Sequence, residues 1–232
     1  MAGGVPLIDL LVLASSRKGG GRCIAGYDLG NDAWLRPVSD LADGTLLPQH
    51  CAVDGDWPEL FDVLRIEVSE PEPLPWQPEN CGLTERPWER LRRVEPVDVA
   101  DDLRGLVDEG VRLVQSTDRR IARAVLEENP IDASLTLVRP TALNWHIERA
   151  PWNNARQEKA NFQLDGRGWY DFHVTDPPIE ARLEALAEGG HPRSAVGIDD
   201  ESDVLLTLSL GEPYDFNDQC YKLVAAVLEL PG

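Results

Sequence analysis

Positive charge is scarce in this chain. Lysine and arginine together number 22 against 41 aspartates and glutamates, a formal charge of −19 over 232 residues. A field of that sign repels polyanions and anionic membranes at long range, so the global balance argues against a nucleic-acid partner. Long apolar runs are missing too, since nothing approaches the ~18 uninterrupted apolar residues of a membrane helix. The stretch MAGGVPLIDLLVLASS has no Lys or Arg before its apolar run, and Asp9 breaks that run. It therefore reads as a first strand rather than an export signal, and the expected compartment is the cytoplasm, with no membrane partner. Cysteine is sparse: Cys23, Cys51, Cys81 and Cys220 lack paired zinc-ligand spacing and are few for a disulfide framework, so they read as buried thiols. His50, His146, His173 and His191 have no i, i+4 partner, and no metal or other cofactor is expected. In SSRKGGGRCIAGYD (15–28) Lys18 precedes the glycines and a strand pattern follows, which excludes both the nucleotide-hydrolase loop and the dinucleotide fingerprint.

What is present is a folded, turn-rich composition, 42% hydrophobic with 18 prolines and seven tryptophans. The charge is unevenly spread: Asp54 to Glu79 holds eight acids against Arg65 alone, whereas Ser15 to Arg36 holds four basic residues against two acids. Residues 7–14, 22–29, 33–38 and 61–68 read as strands, LGND (29–32) as a hairpin turn, and SEPEPLPWQPEN (69–80) as an ordered wrapping loop or linker. From Asp98 to Val114 apolar residues recur at helical spacing, with Asp98 placed as a cap. A second helix is predicted from about Thr117 to Glu128, with Arg119, Arg120 and Arg123 on its solvated faces. Strands are then predicted at 134–139, 160–165 and 169–174, a helix at 176–190, and strands at 204–210 and 220–230. This β-β-β-α-β-β order is that of the five-stranded OB barrel. The first half has three or four comparable strands but no clear helix in the matching gap.

Several residues have the chemistry to hold a ligand. Arg17, Lys18 and Arg22 flank glycines that let a backbone phosphate approach closely, or they simply line a solvated turn. Trp34 and Arg36 share a strand face, an indole beside a guanidinium, suited to a nucleobase and equally to a core position. In GWYDFHV, Tyr170, Phe172 and Val174 form one face and Trp169, Asp171 and His173 the other. Asp171 and His173 could act as a catalytic pair only with a nucleophile, for which Thr207 and Ser209 are the strand-borne candidates; no nucleophile-elbow spacing exists. Lys222 interrupts the apolar run CYKLVAAVLEL, guarding a sheet edge or reaching a ligand.

Taken in order, ASSRKGGGRCIAGYD, WLRPVS, QPEN, WYDFHVTDP, LTLSLGEPY and CYKLVAAV resemble the dual OB domain family, a prokaryotic group of two-barrel proteins. The resemblance implies two OB barrels, and with the element order above it gives a mainly β fold with an α insertion: an OB-like barrel with the Pro-rich loop at 1–96, a helical segment at 97–130 and a second OB-like barrel at 131–232. It further implies a nucleic-acid-binding role without enzymatic activity, and the leading expectation from the residues is binding of single-stranded RNA or DNA. By position, the residues to consider are Arg17, Lys18, Arg22, Trp34, Arg36, Gln77, Asn80, Trp169, Asp171, Tyr221 and Lys222. Two alternatives stand beside that reading: a protein-interaction module using the same grooves, which the acidity favours, and a small-molecule or nucleotide enzyme using Asp171 and His173.

Overall fold

Strand β1 (Leu7–Lys18) is buried on both sides, and this organises the molecule. Ile8, Leu10 and Val12 point into one apolar cluster while Leu11 and Leu13 point into another, as two-residue alternation requires. The protein is described by a computed structural model covering residues 5–231. β1 pairs with β2 (Gly21–Asp28), which pairs with β3 (Ala33–Val38). A one-turn helix, α1 (Pro48–Cys51), follows, then β4 (Asp62–Pro71), β5 (Asn80–Leu83) and β6 (Glu89–Arg93). β3 runs parallel to β5, β5 pairs with β4, and β4 returns to β1, closing a five-stranded barrel filled by the first cluster. β6 lies outside it on β4.

The opening glycines turn the β1–β2 hairpin. Gly19 sits at φ +53°, and a Cβ on Gly21 would meet the carbonyl oxygen of Leu46 at 2.1 Å. The LGND turn is made as expected: the Asp28 carboxylate accepts from the Gly30 amide at 2.8 Å and from Asn31 Nδ2 at 2.7 Å.

Between the barrels lie α2 (Pro96–Gly105), a 3₁₀ turn at 112–114, β7 (Arg120–Ala122) and α3 (Arg123–Glu128). Both predicted helices are therefore shorter than the periodicity suggested. α2 opens on Glu95 as its N-cap residue, not Asp98, and stops at Gly105. The chain then leaves the helix so that the Asp108 amide donates to Leu137 O. Residues 120–122 become a strand because the open flank of a later strand offers backbone partners.

The second barrel contains β8 (Leu135–Val138), β9 (Ala142–Arg149), β10 (Arg156–Gln163), β11 (Trp169–Val174), α4 (Pro177–Leu183), β12 (Gly189–Pro192), β13 (Asp203–Pro213) and β14 (Gln219–Leu230). Its central order β9-β10-β11-β14-β13, with β11 parallel to β14, repeats the order of the first barrel. The first strand of this barrel is β9, not the 134–139 segment, which instead becomes β8 on the flank of β13. β12 covers the other flank, on β9, and uses residues that the predicted 176–190 helix had claimed. Among the described residues β9 and β13 do not pair, so this barrel stays open where the first closes.

The barrels meet along β1 and β2 of one and β8, β13 and β14 of the other, where Leu11, Leu13, Ala25, Leu135, Leu137, Leu205 and Leu228 form a shared core with Ala100 and Leu103 of α2. The Pro-rich stretch wraps this joint: Pro75 O accepts from the Ile131 amide at 2.9 Å.

Candidate nucleic-acid interface

Three cationic residues of the first barrel, Arg17, Lys18 and Arg36, tie it to the second. Arg36 is 1% exposed, and its Nη2 donates to Ser209 Oγ at 3.0 Å across the joint. Gln77 Nε2 donates to Leu210 O at 3.0 Å, and Asn80 Nδ2 donates to Gln77 Oε1 at 3.2 Å. Glu79 accepts from the amide and hydroxyl of Ser134, both at 2.6 Å. Arg17 pairs with Glu180, and Lys18 Nζ reaches Glu212 Oε1 at 2.8 Å. Trp34 and Arg36 do share a face, but it is the one turned to the second barrel; Trp34 is half-buried there, edge-on to Tyr27 at 6.2 Å. Arg22 lies apart, over the Trp57 ring at 5.2 Å, with burial lowering its pKa. Thr207 Oγ1 donates to Leu13 O at 2.6 Å, so both proposed nucleophiles belong to the joint rather than to Asp171 and His173.

The outward face of the second barrel is different. β9 presents Asn144, His146 and Glu148, β10 presents Lys159, Asn161 and Gln163, and β11 presents Trp169, Asp171 and His173, the inward positions being core. Register sets Lys159 between His146 and His173, and Asn161 between Asn144 and Asp171. Lys159 is enclosed, pairing with Glu148 and lying 3.6 Å from Asp171 Oδ2. Arg119 Nη2 reaches the same Asp171 oxygen at 2.9 Å. Asp171 thus faces cations, while its Oδ1 is enclosed without a hydrogen-bond partner among the described residues. Burial first, then the charges of Lys159 and Arg119, lowers the His173 pKa. The hydrogen bond from Lys159 is the main cause lowering that of Glu148.

The face continues onto β14. Because His173 is in register with Leu223, Tyr221 shares the side of Trp169 and Asp171. Arg120, opposite Tyr221 on β7, places Nη1 3.5 Å from the phenol oxygen, and Asn217 Nδ2 donates to that oxygen at 2.8 Å. The β13–β14 loop adds Tyr214 (59% exposed) and Phe216 (71%), packed edge-on at 5.2 Å, with Tyr214 also 6.0 Å from Tyr221. Trp169 is 47% exposed. Lys222 has the opposite phase and points inward. It is 1% exposed and lies 5.8 Å over the Phe172 ring, with its Nζ donating to Ser116 O at 2.8 Å. Burial lowers its pKa to about 8. Its strand is central, between β7 and β11 on one side and β13 on the other, so it guards no edge.

Of the sequence candidates, the structure brings Trp169, Asp171 and Tyr221 together and places Arg17, Lys18, Arg36, Gln77 and Asn80 at the joint. Arg119, Arg120, Lys159, Asn161, Tyr214 and Phe216 were not singled out as ligand contacts. The available signal for the last two was their place between the final two strands, a loop that borders ligands in OB barrels. Among the described residues no group of three His, Cys, Asp or Glu could hold a metal ion, and no helix is long and apolar enough to cross a membrane.

Two barrels with one strand order, parallel third and fifth strands and a helix between the third and fourth, define a protein built of tandem OB folds. The match to a family model is as broad as the fold: the chain belongs to the dual OB-containing domain family, whose model covers residues 8–227. No curated protein matches it.

Proposed function

We propose that the protein binds single-stranded nucleic acid on the outward face of its second barrel, along β10, β11 and the start of β14. The observation that supports this most is that Trp169, Tyr221, Tyr214 and Phe216 lie on one side of the second barrel with Arg119 and Arg120 among them, Arg119 reaching Asp171 and Arg120 facing Tyr221. Flat rings stack on any base, and neighbouring guanidinium groups contact phosphate, so this composition suits a strand with unstacked bases. Asn161 and Gln163 add amide groups that can meet base edges. The acidic remainder of the surface repels duplex, which favours a strand held chiefly by stacking where Arg119 and Arg120 border the rings. The −19 charge also favours a second reading, a module whose aromatic loop seats a basic peptide.

Equilibrium binding of labelled single-stranded RNA, single-stranded DNA and duplex at two salt concentrations tests the first reading. Wild type should bind single strands in preference to duplex, and more weakly at the higher salt. Trp169→Ala and Tyr221→Ala should each lose roughly 1–3 kcal/mol of binding. Absence of binding to every nucleic acid at low salt would discard this reading in favour of the second.

A further inference from the structure

Beside this face lies a cavity of about 400 Å³ lined by Arg112, Gln115, Ser116, Asp118, Arg120 and Lys222, with Ile121, Ala122 and Val125 on its apolar side. Three of its cations have no carboxylate within ion-pair distance among the described residues. The chain has three lysines, of which Lys18 and Lys159 are ion-paired, while Lys222 has no carboxylate within 4 Å among the described residues. Arg112 and Arg120 also lack an ion-pair partner there: Arg112 Nη1 donates to Asn129 O at 2.6 Å, and Arg120 approaches the Tyr221 phenol. Asp118, which accepts from Ser116 Oγ at 2.6 Å, is the one acid in the lining. In a chain where acids outnumber bases almost twofold, three cations without a carboxylate partner gather on this one cavity, with Asp118 as the single acid among them. Lys222 strengthens the point, because its enclosed ammonium has one carbonyl partner, the Phe172 ring and the more distant charge of Asp118, and a further anion would offset more of its burial cost.

We propose that this cavity is a phosphate site, and that it receives the terminal phosphate of a strand lying on the adjoining face; the second clause rests on the single-strand reading above. A terminal phosphate monoester carries close to two negative charges at neutral pH, whereas an internal diester carries one. The three cations, reduced by Asp118, leave about two positive charges to meet it, and forked guanidinium groups match its oxygens. Arg120 couples the two sites, since it lines the cavity and also borders Tyr221.

The test measures binding of one short oligonucleotide carrying a 5′-phosphate, a 3′-phosphate or neither, alongside inorganic phosphate and pyrophosphate alone, to wild type, Arg112→Ala and Lys222→Met. Arg112→Ala keeps the test open should Lys222→Met fail to fold. A preference of about tenfold for one phosphorylated end, abolished in Arg112→Ala while the unphosphorylated strand binds as before, supports the proposal. Equal binding of all three oligonucleotides, with no binding of inorganic phosphate or pyrophosphate, overturns it and leaves the single-strand reading standing. Phosphate or pyrophosphate binding that Arg112→Ala abolishes, without strand binding, supports the phosphate site and overturns its use for a strand end. Absence of both overturns site and face together.

Discussion

At the scale of single residues, burial decides what each polar group can do. Burial pushes the thiols of Cys51, Cys81 and Cys220 up to about 12, leaving them protonated and inert at neutral pH, whereas Cys23 is only half-buried. Alkylation of the native protein near pH 8 should therefore label at most one thiol per chain, on Cys23, as mass spectrometry would read. Lys222 shows the opposite use of burial, a cation retained at a cost to folding. Its folded pKa of about 8 lies below the ordinary 10.5, so the unfolded chain binds more protons between those values and wild-type stability contributed by this group rises with pH across that window. Lys222→Met should accordingly be more stable than wild type at pH 7 by about 2 kcal/mol, the shift being discounted for solvation from the cavity, with the gap shrinking from pH 8 to 10.5 in denaturant titrations. An unchanged gap would show that the ammonium is not under strain. The residue pattern was legible in part. Alternation correctly places Trp34 with Arg36 and Trp169 with Asp171, but which face looks outward depends on what packs against it, and β3 turned out to face the other barrel.

At the scale of elements, short-range signals and long-range pairing divide the account between them. The β1–β2 hairpin is local: Gly21→Ala would drive a methyl group into the backbone of Leu46, whereas a Cβ on Gly20 meets nothing within 4 Å. Gly21→Ala should lose roughly 3 kcal/mol and Gly20→Ala almost nothing, measured by chemical denaturation. Strands whose identity depends on distant partners were harder to read. β5 is four residues long and follows a run of prolines, so its strand character comes from β3 and β4, which flank it. β9 has a plain alternation of Leu143, Trp145 and Ile147, yet its role as first strand depends on β10 choosing it over the nearby β8, a choice no local pattern contains. β7 broke a helical pattern because β14 offered backbone partners. The same event carries Arg119 and Arg120 onto the candidate face, which is why a reading of them as solvated helix residues could not find the site.

At the scale of the molecule, the two barrels form one mechanical unit. Their shared apolar core and the crossing hydrogen bonds of Arg36, Gln77, Glu79 and Thr207 predict a single unfolding transition, coincident by tryptophan fluorescence and circular dichroism. Arg36→Ala strips a partner from Ser209 and leaves a cavity in the joint, offset in part by removal of a guanidinium whose Nε and Nη1 are enclosed without partners, so it should lower stability by roughly 1–2 kcal/mol, and separated transitions in that variant would locate the coupling there. The proposed function adds a division of labour, with Arg17, Lys18 and Arg36 of the first barrel serving structure and the second barrel's outward face serving recognition. Amide chemical-shift mapping with a short single-stranded oligonucleotide tests that claim most directly. The account predicts perturbations confined to β10, β11, residues 119–122 and residues 214–222, with the first barrel silent. Perturbations centred on β2 and β3, or none anywhere at saturating strand, would contradict it.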